Sequence, residues 1–173
     1  MKDERGTTLI ELVLYIGLVG MILTTISMFL LNMLNARIKT SAISEITANG
    51  RLIQDRLFDS VRHAQTIDFD SSVFDVDPGV LTLNMTDPLV TPTIFSLISD
   101  DGQFQINEGG SGNIGLTSDS IHVTNLVFTN LTSEEDVGII QVQFTLTAFN
   151  PSSDRAYDYE ESFQTTLRIP LHE

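Results

Sequence analysis

Twenty consecutive residues without a charge, Leu12 to Leu31, constrain this chain more than any other feature. As a helix they rise about 30 Å, which matches the roughly 30 Å hydrocarbon core of a bilayer. The run predicts a segment that crosses a membrane once. A cleavable secretory signal has a shorter apolar centre, about 7 to 15 residues, closed by a small-residue cut site. Here the run is longer and continues into polar, helical sequence, so an anchor is expected. One carboxylate, Glu11, stands immediately before it.

Beyond the run the periodicity stays helical. Ile38, Ala42, Ile46, Ile53, Leu57 and Val61 recur at spacings of four or seven, with Arg37, Lys39, Glu45, Arg51, Asp55, Arg56, Asp59 and Arg62 largely on other faces. No Pro and only one Gly, Gly50, interrupts the pattern, so one helix is expected from about Thr8 to about Ala64, roughly 85 Å long, with a slight bend at Gly50.

After Thr66 the period changes to two. Ile140, Val142, Phe144, Leu146 and Ala148 alternate with polar residues, as do Tyr157, Tyr159, Phe163, Thr165, Leu167 and Ile169. The two runs flank Asn150 to Arg155 and predict a long hairpin. Weaker strands are expected at Val80 to Met85, Thr93 to Ser99, Gln103 to Asn107, Asn113 to Thr117 and Ser120 to Phe128. Asp100-Asp101-Gly102 suits a tight turn, and Gly109 to Gly112 a flexible link. The echo VTNLV and FTNLT at 123 to 132 is too short for a structural repeat and reads as chance or a bulged strand.

A helix followed only by strands predicts an α+β fold, in which a long N-terminal α-helix packs through its amphipathic half on a C-terminal antiparallel β-sheet. A chain of 173 residues has room for one folded unit with an appendage. Charge is partitioned in the same way. The net charge is −14, and from Thr66 onward 17 Asp and Glu face only Arg155 and Arg168. Such a surface repels phosphate backbones, so no nucleic-acid partner is expected for the acidic region, and solubility is its plainest use. The absence of Cys excludes disulfides and thiolate metal sites.

Motifs that carry catalytic chemistry are scarce in the chain. Asp68, Asp70, Asp75 and Asp77 have the i, i+2 spacing that supplies oxygen ligands to calcium, but the twelve-residue loop pattern is not met, and Asp is a common turn residue. Asp158, Glu160 and Glu161 read as the exposed face of the last strand. His63, His122 and His172 fall on three separate elements without ligand spacing. Asn84 and Asn130 match glycosylation acceptors, a pattern too short to carry weight. No nucleophile elbow, zinc helix or phosphate loop occurs. Neither an enzyme nor a cofactor is expected.

Arg5-Gly6-Thr7-Thr8-Leu9-Ile10-Glu11-Leu12 resembles the prepilin peptidase site of the type IV pilin superfamily. The resemblance implies a leader, residues 1–6, cut after Gly6, with Thr7 the N-methylated first residue of the mature chain and Glu11 its fifth. It divides the rest into a transmembrane and assembly helix, 7–33, an amphipathic helix, 34–65, and an acidic β-rich region, 66–173. The partners it implies are prepilin peptidase, other pilin or pseudopilin subunits, membrane lipid before assembly, and an inner-membrane assembly platform. Glu11 is then expected to pair with a neighbouring subunit's α-amine. Two unit charges about 4 Å apart attract by on the order of 4 kcal/mol at an effective dielectric near 20, before desolvation is subtracted.

Three departures refine the resemblance. Thr7 stands where the family usually has Phe, Met28 stands where major pilins carry a helix-breaking Pro, and no C-terminal Cys pair is present. They point to a minor pilin or pseudopilin, and the long final hairpin resembles the J-type minor pseudopilins of type II secretion. The expected location is the inner cell membrane, single-pass with a cytoplasmic N-terminus, then an extracytoplasmic filament. The alternative is an anchored β-domain that binds a ligand or surface and never leaves the membrane.

Overall fold

The computed structural model describes residues 8–98, 102–132, 138–149 and 159–169. Leu9–His63 form a single α-helix, α1, of 55 residues. Eight strands follow: β1 (Ala64–Ile67), β2 (Leu81–Met85), β3 (Thr93–Leu97), β4 (Phe104–Glu108), β5 (Asn113–Gly115), β6 (Ile121–Asn130), β7 (Ile139–Ala148) and β8 (Glu160–Arg168). The class is α+β, as the order of elements predicts. The strands form two antiparallel sheets rather than one, β1-β2-β3-β4-β5 and β6-β7-β8.

The buried face of α1 comprises Ala42, Ile46, Asn49, Gly50, Ile53, Leu57, Ser60 and Val61. Spacings of three and four keep these residues on one side of a 3.6-residue helix. Of the predicted apolar stripe only Ile38 is half-buried, because there the helix is leaving the domain. Gly50, where the sequence suggests a bend, is a point of close approach: a Cβ there would run into the Phe163 ring of β8. Glycine thus lets the helix axis settle onto the three-stranded sheet.

A line of rings ties the layers together. Phe95 of β3 stacks on Phe104 of β4 at 6.0 Å, Phe104 on Phe144 of β7 at 6.4 Å, and Phe144 on Phe163 at 5.2 Å. The line starts in the five-stranded sheet, crosses the three-stranded one and ends against Gly50 of the helix. Both sheets and the upper half of α1 share one core.

The chain leaves α1 without a loop. Ala64 takes extended angles (φ −75, ψ 142) and already belongs to β1, a strand absent from the sequence reading. The echo at 123 to 132 lies within β6, which carries a bulge between Val123 and Asn125 and is therefore a bulged strand. Of the expected turn between β3 and β4, Gly102 is seen at φ +61, donating its N–H to the Ile98 carbonyl at 2.9 Å; Asp100 and Asp101 lie outside the described residues. Asn150 to Arg155, between β7 and β8, lies outside them too.

Candidate functional site

The first turn of α1 carries the residue singled out by the sequence. Thr8 caps the helix in an extended conformation (φ −76, ψ 151) without a side-chain hydrogen bond, and its carbonyl accepts the Leu12 N–H at 3.2 Å. Glu11 is the acid of that turn and is exposed. A carboxylate is favoured at a helix N-terminus, where the unpaired N–H groups leave partial positive charge. Among the described residues no cation reaches it. Gly6 and Thr7, the expected cut and new terminus, lie outside the described residues.

From Leu9 to Arg37 every residue of α1 is exposed. The helix is long and apolar enough to cross a membrane by length and composition. Its hydroxyls fit that medium: Thr24, Thr25 and Ser27 donate to the carbonyls of Gly20, Met21 and Leu23, four residues back, at 2.8 to 2.9 Å. Each donor is satisfied within the helix, as a segment without water requires. Gly17 and Gly20 face open space, so neither serves a contact within the chain. Tyr15 is exposed as well.

Polar clamps fix the exposed rod to the domain. The Glu45 carboxylate accepts hydroxyl hydrogen bonds from Ser118, at 3.0 Å, and Ser120, and Asn49 Oδ1 accepts the Ser118 N–H at 3.0 Å. Thr47 donates to Glu161 at 3.1 Å, and Arg56 donates to Glu108 at 2.7 Å. Sequence reasoning places Glu45 and Arg56 on solvated faces. Their partners lie more than fifty positions away, and no local signal announces such pairs.

The four calcium candidates do different work from one another. Asp68 closes a turn, accepting the Ser71 hydroxyl at 2.8 Å and the Ser71 and Asp70 N–H groups at 3.2 Å. The Ser71 bonds, hydroxyl before N–H, hold its carboxyl below the ordinary value. Asp70 is an exposed turn residue, and Asp75 sits at φ +57 with its N–H on the Phe128 carbonyl. Asp77 Oδ1 accepts the Leu126 N–H at 3.0 Å. Among the described residues no three His, Asp or Glu side chains converge as metal ligands would.

His63 bonds back to the Asp59 carbonyl at 2.8 Å, and His122 stacks on Phe149 at 4.7 Å; His172 and Asp158 lie outside the described residues. Asn84 donates to Thr66 at 3.3 Å, and Asn130 accepts the Thr132 N–H at 2.9 Å, closing a turn.

A helix exposed and apolar in its first half, and packed on antiparallel sheets in its second, is compatible with a pilin-like fold. Compared with protein-family models, curated proteins and solved structures, the chain matches none of them.

Proposed function

We propose that this chain is a structural subunit, a minor pilin or pseudopilin, of a type IV pilus-like or type II secretion filament. On this reading it is cleaved after Gly6, N-methylated at Thr7, and assembled through α1. The observation that carries the reading is one unbroken helix whose lipid-length half buries nothing in its own fold while its far half is the spine of the core. Such a half needs a partner, first lipid and then other helices. Passing from one apolar environment to another involves little transfer free energy, so packing and polar contacts decide where the helix settles.

Glu11 supplies such a contact. A charge near the end of a membrane helix costs less than the roughly 3 kcal/mol at its centre, and a neighbour's α-amine offsets that cost. The carboxylate then sets the axial register between subunits. The chain carries no phosphate-binding loop, so extraction from the membrane falls to a separate motor and platform. The reading makes the protein one that works by assembly rather than turnover.

Intact-mass analysis of the working protein tests the first step: a chain beginning at Thr7 is expected, and one retaining Met1 favours an anchored binding module. Glu11→Ala tests the second. Membrane insertion is expected to persist while incorporation into filaments is lost, and normal incorporation would sink the pairing.

A further inference from the structure

We infer that a pocket at the upper end of α1 takes a cationic side chain, Lys or Arg, presented by another protein. The pocket, about 410 Å³, opens between the last turns of α1 and the loop that joins β2 to β3. Three carboxylates line it, Asp59, Asp87 and Glu108, and among the described residues lining it there is no Lys or Arg. Arg56, beside it, donates to Glu108 at 2.7 Å and lies 3.8 Å from Asp59, and His63 lies 3.6 Å from Asp59. Three negative charges set against Arg56 and even a protonated His63 leave one in excess. Asp87 has no cation beside it among the described residues. The helix end adds to this field, because the carbonyls of a last turn carry partial negative charge.

Ser60 marks the same pocket independently of charge. It lines the cavity and is only 3% exposed. On the same helix Thr24, Thr25, Ser27 and Thr40 each donate to the carbonyl four residues back. The Ser60 hydroxyl makes no such bond and has no other partner among the described residues. Nor is it sealed off, since the enclosed side-chain atoms without a partner there are Gln105 Oε1 and Asn107 Oδ1. Its opening is the cavity it lines. A buried hydroxyl without a partner is costly, and a polar group entering the pocket removes that cost.

The other polar groups of the pocket are left as acceptors. His63 Nδ1 donates to the Asp59 carbonyl at 2.8 Å, so Nε2 of the neutral ring accepts. Thr86 gives its hydroxyl hydrogen to the His63 carbonyl at 3.0 Å, and Asp87 accepts the Leu89 N–H through Oδ1 alone, at 2.9 Å. An acceptor-rich, negative pocket calls for a positive ligand with several N–H donors, which an ammonium or guanidinium is. A bare metal ion fits poorly, since no three His, Asp or Glu side chains converge among the described residues. Met85 and Val90 supply an apolar wall for the aliphatic stem of Lys or Arg. Leu89, between two lining residues, is 81% exposed, an apolar contact that a protein partner covers and a small free cation does not. Lipid is out of reach, because Asp59 stands about 40 Å along the helix from Leu31. The pocket belongs to the folded domain, so its binding does not depend on filament assembly.

Met85 lines the pocket, whereas Met1, Met21, Met28 and Met33 precede the domain, so methyl-labelled methionine in the full-length chain in neutral detergent gives a local reporter with internal controls. The probes are acetyl-leucyl-arginyl-leucine amide, the same peptide with uncharged citrulline for arginine, n-butylguanidinium and Ca²⁺. The arginine peptide is expected to shift the Met85 methyl signal saturably, and the citrulline peptide to leave it in place. Asp87→Asn and Ser60→Ala are each expected to weaken the arginine peptide severalfold at an unchanged thermal midpoint, while Asp70→Asn, outside the pocket, leaves its affinity unaltered. An equal response to citrulline, or an equal loss in Asp70→Asn, overturns recognition of the charge in this pocket. Butylguanidinium binding as tightly as the peptide overturns the protein partner in favour of a free cation, and displacement of the peptide by equimolar Ca²⁺ overturns both in favour of a metal. No shift with any probe overturns the site, and every one of these results leaves the assembly reading as it stands.

Discussion

At the scale of single residues the fold turns on a few places where size or proton position is fixed. A methyl group at Gly50 meets the Phe163 ring, which is itself stacked on Phe144. Crowding a packed core costs about 1–3 kcal/mol, while alanine recovers about 1 kcal/mol of helix propensity, so crowding wins. Gly50→Ala is expected to lower the unfolding midpoint by several degrees, read by thermal denaturation in detergent. A raised midpoint would show that the ring yields freely. Asp68 gives a second residue-level test. Hydrogen bonds from Ser71 lower its pKa in the folded protein. A depressed carboxylate contributes stability above the ordinary carboxylate range and loses it as pH falls through the folded pKa. Asp68→Asn is therefore expected to flatten the acid limb of the stability curve without steepening it near neutrality. An unchanged limb in stability measurements between pH 2 and 7 would remove Asp68 from the account.

At the scale of elements, strand parity makes a sharper prediction. In β7 Phe144 is fully buried among Phe104 and Phe163, and Gln143 beside it is exposed. Phe144→Ala is expected to cost about 3–5 kcal/mol, Gln143→Ala under about 0.5 kcal/mol, in urea unfolding. The reverse order, a large loss at Gln143 and a small one at Phe144, would mean the register is wrong by one residue. This parity was legible in the sequence, because alternation over ten residues leaves one phase only. So was α1, since nothing in Leu9–His63 breaks its period. β1 was not legible: Ala64–Ile67 follow the helix with no Gly or Pro between, and four residues carry no period. The division into two sheets was hidden because pairing partners such as Leu83 and Thr93 are chosen by tertiary contacts. Of the candidate site, Glu11 was legible because a lone acid beside an apolar run is conspicuous. Glu45, by contrast, looks like any solvated acid until the 118–120 turn folds against it.

At the scale of the whole molecule the chain divides energetically where it does not divide in secondary structure. Residues 9–37 of α1 are exposed throughout, and the first buried side chain of the helix is Ala42. The shared core begins at Ile46 and draws on both sheets. The lower half of the helix therefore contributes no burial to folding, and its apolar surface only drives association with lipid or other chains. A fragment covering residues 35–173 keeps every core residue and the polar clamps, Glu45 and Asn49 with the 118–120 turn, Thr47 with Glu161 and Arg56 with Glu108. It loses the twenty-residue uncharged run and keeps the acidic strands, so it is expected to be soluble without detergent. Its thermal midpoint is expected to match that of the full chain in detergent within a few degrees, because fraying is confined to the new N-terminal turns ahead of Ala42. A fragment that fails to fold would mean that the exposed half of α1 stabilises the domain after all.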